Sequence, residues 1–117
     1  MPVRLLNSPV LKWPDDQTVK KALHSWVKSI KKERPEVVRV GYLGSYARGD
    51  WGVGSDLDLL IVVKKTDLPF EKRGTQWDTT GFPVPVDIFV YTLTEFNNLS
   101  QKGRFGRALQ RELIWVN

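Results

Sequence analysis

Between positions 19 and 30 the apolar residues recur as Val19, Ala22, Leu23, Trp26, Val27 and Ile30. With 3.6 residues per turn, this three-and-four spacing lays a single stripe along an α-helix. Pro14 suits the helix's first turn, Asp15 and Asp16 complement the positive end of its dipole, and Pro35 requires it to have ended. The period then changes. Val37 to Leu43 is rich in β-branched residues and runs into Gly44, which predicts a strand delivering the chain to a tight turn. Leu57 to Val63 is apolar almost throughout, the mark of a strand buried on both faces beneath helices. Val84 to Tyr91 predicts a third strand, with Pro83 and Pro85 at its entrance, where a missing amide donor is tolerated.

The polar stretch from Lys64 to Phe82 carries Gly74 and Gly81 and predicts an excursion between strands, with a short helix around Leu68 to Arg73. Thr92 followed by Glu95 is a capping-box pattern and predicts a helix from Leu93 to Lys102, with Gly103 as its stop. A short helix from Phe105 to Gln110 and an extended piece from Leu113 to Val116 complete the chain. No internal repeat or low-complexity tract interrupts this order. It predicts an α/β or α+β fold, a small mixed β-sheet flanked by helices, with residues 1–117 as a single domain.

Composition narrows the chemistry. Apolar residues at 41% and charged residues at 26% are ordinary for a globular protein and argue against wholesale disorder. No apolar run approaches the roughly 20 residues that span a bilayer. Met1 to Trp13 breaks at Asn7, Ser8 and Pro9 and lacks the continuous apolar core of a secretory signal, so a cytoplasmic protein is expected. Cysteine is absent and His24 is the only histidine, which excludes thiolate sites and leaves carboxylate oxygen as the main candidate metal ligand. His24 sits off the apolar stripe and reads as solvated. The net charge of +5 would draw nucleoside triphosphates, nucleic acid or an acidic partner. Lys20, Lys21, Lys28, Lys31 and Lys32 read equally well as the solvated face of the first helix.

Gly41 to Val63, GYLGSYARGDWGVGSDLDLLIVV, is the most informative segment. Gly44 and Ser45 follow a strand directly and precede a short helix-like segment, Tyr46 to Arg48. A glycine there lets the backbone approach an anion closely, and the serine hydroxyl with nearby amides can bind phosphate oxygens. Ten residues further on come Asp56 and Asp58, one residue apart where a strand begins. Strand alternation sends both side chains to one face, about 6.5 to 7 Å apart along the backbone, so their carboxylates can converge on hard cations. Asp87 then interrupts the apolar run from Val84 to Val90. Taken singly, each element has an ordinary explanation: a Gly-Ser pair is usually a turn, and Asp-x-Asp is usually a solvated strand edge. The combination should arise by accident in roughly a few chains per thousand of this length. Clustered carboxylates on apolar strands also repel one another and resist desolvation, a conflict that a cation resolves.

The segment resembles the nucleotidyltransferase superfamily, the polymerase beta-like group that includes antibiotic nucleotidyltransferases and the minimal nucleotidyltransferases (MNT) paired with HEPN-domain proteins. Gly44, Ser45, Asp56 and Asp58 carry the likeness at full spacing, and Val86-Asp87-Ile88 matches the strand of the third carboxylate. The likeness is specific from Val37 to Asp58 and from Val84 to Val90, and length places the chain nearest the minimal, HEPN-paired group. The resemblance implies that Asp56 and Asp58 ligate two Mg2+ ions, and that Asp87 completes the second site and accepts the acceptor's proton. It also implies that Ser45, at the Gly44 turn, holds the terminal phosphates of ATP or another NTP. Arg48 is a further phosphate contact or the partner of a surface salt bridge to Asp50. Trp51 can stack on a base, although packing against Gly52 and Gly54 is the simpler expectation.

The function implied is transfer of a nucleotidyl group, AMP from ATP, to a tyrosine of a HEPN toxin, with this chain as antitoxin. Transfer to a small molecule such as an aminoglycoside is an alternative, although 117 residues leave little room for its acceptor pocket. A non-catalytic module binding a protein partner or nucleic acid through its basic face is a third reading. That last reading gives no reason for carboxylates on two apolar strands.

Overall fold

A computed structural model of the protein describes residues 13–100 and 103–116. The expectation for Met1 to Trp13 thus falls almost entirely outside the described residues, as does the predicted end of a helix at Lys102. Helix α1 spans Asp16–Glu33 and buries Val19, Leu23, Val27 and Ile30, the stripe that the spacing predicts. Its N-cap is Asp15, whose carboxylate accepts from the Thr18 amide at 2.8 Å. Pro14 therefore lies just before the helix rather than in its first turn. A side-chain acceptor for an otherwise unpaired amide fixes the start more strongly than proline's preset φ. His24 is exposed, as expected.

Strand β1 (Val37–Leu43) leads through Gly44 into the four-residue helix α2 (Ser45–Arg48), and strand β2 is Leu57–Val63. A crossover follows, containing α3 (Phe70–Arg73) and a 3-10 turn (Gly74–Gln76), and returns the chain to β3 (Val86–Thr92). Val84 and Pro85 precede β3, whose ladder begins at Val86, so the strand is shorter at its entrance than the apolar run suggests. Helix α4 (Leu93–Ser100) starts with the expected capping box: the Thr92 amide donates to Glu95 Oε1 at 2.8 Å, and the Glu95 amide to Thr92 Oγ1 at 3.1 Å. Helix α5 (Gly103–Glu112) and strand β4 (Ile114–Val116) follow. Gly103, expected as a stop, has the left-handed φ of 71° found at such positions, yet it is also the first residue of α5.

The sheet is mixed and four-stranded, in the order β3-β2-β1-β4. β1 pairs antiparallel with β2 and β4, and β2 runs parallel to β3. Parallel pairing is what the long polar excursion makes possible, since a tight hairpin cannot join parallel strands. β2 is central and buried on both faces. Leu57, Leu59, Ile61 and Val63 pack with the α1 stripe, while Leu60 and Val62 pack with Leu109 of α5. Trp77 joins the α1 side of the core, with the Arg34 guanidinium 3.7 Å above its ring. On β1, Gly41 faces β4 so closely that a Cβ would lie 2.8 Å from Leu113 Cδ1 and 3.0 Å from Ile114 O. Its lack of a side chain lets β4 dock.

Candidate active site

Strand alternation decides which carboxylates share a face. Asp58 has the parity of Leu60 and Val62 and so lies on the α5 side of the sheet. Val86, Ile88 and Val90 of β3 belong to the α1 side, which puts Asp87 on the α5 side too. Asp58 and Asp87 are register partners across the parallel β2-β3 ladder. Asp56 lies two residues before Asp58, just ahead of β2. Asp56 and Asp87 are exposed and Asp58 is half-buried, since β2 is central and β3 is an edge strand. Asp87 therefore sits at a solvated rim and not within a doubly covered strand.

Burial raises the Asp58 pKa above the ordinary carboxylate value, and the negative charges of Asp87, Asp56 and Glu112 push it further; Arg48 opposes them. Folding has thus gathered like charges at one end of two neighbouring strands. The donors are all carboxylate oxygens, a set that suits a hard divalent cation such as Mg2+. Among the described residues, no three acidic or histidine side chains already stand as a cage that could hold an ion.

The turn between β1 and α2 borders this cluster. Leu43 is the register partner of Asp58. Gly44 has φ 78° and ψ −153°, a conformation that residues with a Cβ avoid, and a Cβ there would fall on the Asp58 carboxylate. Both its dihedral angles and its contact require glycine. Ser45 follows, and its hydroxyl makes no hydrogen bond among the described residues. The Ser45 carbonyl accepts from the amides of Gly49 and Asp50, which closes the short helix.

Arg48 leaves this helix with half its side chain exposed. It bonds Asp50 through Nε at 3.1 Å, the salt bridge its sequence suggests, and Glu112 through Nη1 at 2.9 Å. Trp51 stacks on Tyr46 at 5.7 Å with planes 7° apart. Tyr46 is thus a packing partner of Trp51, and a Cβ at Gly54 would meet nothing within 4 Å. A cleft of about 290 Å³ opens beside Arg48, lined by Ala47, Arg111, Glu112 and Ile114.

Glu112 is the site residue that sequence reasoning missed. As the last residue of α5 it accepts the Gly44 amide at 2.6 Å through Oε1, the oxygen that also takes Arg48. The contact joins positions 68 residues apart, so no local pattern announces it. The one available sign was a carboxylate at the negative end of a helix, where the helix itself gains nothing from it.

This arrangement has relatives. The family model of the nucleotidyltransferase domain matches residues 23–110, which include the turn and all three aspartates. The crystal structure of a "putative nucleotidyltransferase" from Sulfolobus solfataricus superposes with a TM-score of 0.58 at 25% sequence identity, over 71% of this chain and 75% of that one. No curated protein matches the sequence. With the family model covering well over half of its length, the chain belongs to the nucleotidyltransferase domain family.

Proposed function

We propose that the chain is a Mg2+-dependent nucleotidyltransferase that moves AMP from ATP onto a protein hydroxyl, a tyrosine of a HEPN-domain partner, and so acts as an antitoxin. The observation that carries the transferase reading is the register pairing of Asp58 with Asp87 beside the Gly44 turn. It brings carboxylates from two strands to the end of the sheet where the Gly44 backbone passes directly against Asp58. Asp56, Asp58 and Asp87 are the residues that would hold the metal, as two ions. Neighbouring parallel strands lie about 4.8 Å apart, so side-chain rotation alone can bring such carboxylates together. Bound there, the metal would neutralise charge on the triphosphate and make its α-phosphorus more electrophilic.

The chain's own residues do the rest. Ser45 donates its hydroxyl to a terminal phosphate oxygen, and Arg48 offers a guanidinium to the same region. Asp87, exposed at the rim, receives the proton of the acceptor hydroxyl. The acceptor oxygen bonds to the α-phosphorus as the bond to the bridging oxygen of the β-phosphate breaks, and pyrophosphate leaves. Tyrosine of a HEPN partner is supported by the resemblance to the minimal, HEPN-paired group.

Incubation with α-labelled ATP, Mg2+ and the product of the adjacent reading frame tests this. Label retained on a tyrosine of the neighbour after denaturation is expected. An unlabelled neighbour removes the acceptor assignment, and the absence of Mg2+-dependent ATP binding by calorimetry removes the transferase reading itself.

A further inference from the structure

Glu112 sits where its local electrostatics disfavour a carboxylate. It lies in the last turn of α5, against the negative end of the helix dipole, and adds a fourth negative charge beside Asp56, Asp58 and Asp87. Its side chain is 23% exposed, so it has given up much of its hydration. What offsets these penalties is the pair of donors it has found: the Gly44 amide at 2.6 Å and Arg48 Nη1 at 2.9 Å, both on a single oxygen. A backbone amide and a guanidinium converging on one anionic oxygen are also what a phosphate oxygen requires. The carboxylate therefore satisfies the donors that a triphosphate entering beside Ser45 would use.

We propose that Glu112 is an internal competitor for the phosphate seat: its carboxylate holds the Gly44 amide and Arg48 until nucleotide displaces it, and so sets the affinity of the site for triphosphate. This rests on the nucleotidyltransferase reading above. Occupation by Glu112 multiplies the intrinsic affinity by the fraction of molecules with the seat free, so removing its charge tightens binding.

The test is calorimetric titration of ATP with Mg2+ into the wild-type chain and into Glu112→Gln and Glu112→Asp. Glutamine keeps the length and one acceptor oxygen but loses the charge. Aspartate keeps the charge and falls one methylene short. Thermal melting of both variants checks that they are folded, and either one suffices for the comparison. The expected result is binding tighter than wild type, about tenfold for glutamine if the seat is roughly nine-tenths occupied, with a smaller gain for aspartate. Equal or weaker binding by folded variants overturns the competitor role, showing that Glu112 merely orients Arg48, and leaves the nucleotide site standing. If neither wild type nor variants bind ATP, the underlying site reading falls, and this proposal with it.

Discussion

The parallel pair β2-β3 has a charged cluster at each end, and the two are built on opposite principles. At the end where both strands finish, Arg73 is buried and every nitrogen of its guanidinium donates a hydrogen bond. Nε donates to Leu68 O at 2.9 Å, Nη1 to Val90 O at 3.0 Å and to Glu95 Oε1 at 2.7 Å, and Nη2 to Glu95 Oε2 at 3.2 Å. Arg73, followed by the Thr92 amide, holds the Glu95 carboxyl down at about 2. Charge there is complementary, and it ties the crossover to the start of α4. At the end where the strands begin, the negative charges of Asp87, Asp56 and Glu112 all act on Asp58, whose pKa burial and these neighbours drive upward. The first cluster makes sense as folding alone. The second does not, because like charges gathered by the backbone weaken the fold unless something else arrives to neutralise them. In one small sheet, the satisfied end accounts for itself as structure, and the frustrated end is where the proposed function lies.

The contrast is broken most sharply by removing charge at the frustrated end. Asp58→Asn, and separately Asp56→Asn, should reduce nucleotidyl transfer on the order of a thousandfold or more, as expected when a member of a catalytic unit is lost. The same substitutions should leave the melting temperature of the metal-free protein unchanged or raised. The raised Asp58 pKa means that its charged form opposes folding above that pKa, and asparagine carries no charge. Labelled-ATP turnover and thermal melting together give the answer. Retained turnover in both variants would show that the crowding serves no catalysis.

The satisfied end should respond in the opposite sense. Glu95→Gln leaves the buried guanidinium of Arg73 without a counter-charge and should cost about 2 kcal/mol. This is below the loss typical of a fully buried pair, because Glu95 is 44% exposed and partly screened. A carboxyl lowered on folding contributes stability that is complete above its unfolded value near 4.5 and disappears as pH falls towards 2. Urea unfolding of wild type and variant should therefore show a clear gap at pH 7 that closes as pH approaches 2. A gap independent of pH would assign the loss to packing or to the helix cap, and the two ends would no longer differ by charge.

The fold was legible where one period dominated. The α1 stripe, the almost wholly apolar β2 and the Thr92-Glu95 box each follow from local residue types, and each has the expected form. Strand order was not legible, because pairing depends on how a 22-residue excursion returns, and sequence shows only its length and polarity. The same division runs through the site. Gly44, Ser45, Asp56 and Asp58 lie within one short segment whose spacing carries information, and Asp87 stands out as the charge in an apolar run. Glu112 and the Gly41-β4 contact are long-range meetings, created by packing β4 against β1, and no periodicity encodes them.

The mildest test concerns a group that belongs to neither cluster. The Ser45 hydroxyl lies at the frustrated end yet bears no charge, and it makes no hydrogen bond among the described residues, so folding gains nothing visible from it. Ser45→Ala should leave stability within about 0.5 kcal/mol of wild type, as for a surface substitution without a partner. If the hydroxyl donates to a phosphate of the incoming nucleotide, its loss should weaken ATP binding by about 1 kcal/mol, roughly fivefold in Kd. The backbone amides and Arg48 remain in place, which keeps the effect small. Titration calorimetry with Mg2+ and ATP measures it directly. Unchanged affinity would confine phosphate binding to the Gly44 amide and Arg48, the two donors that Glu112 already occupies.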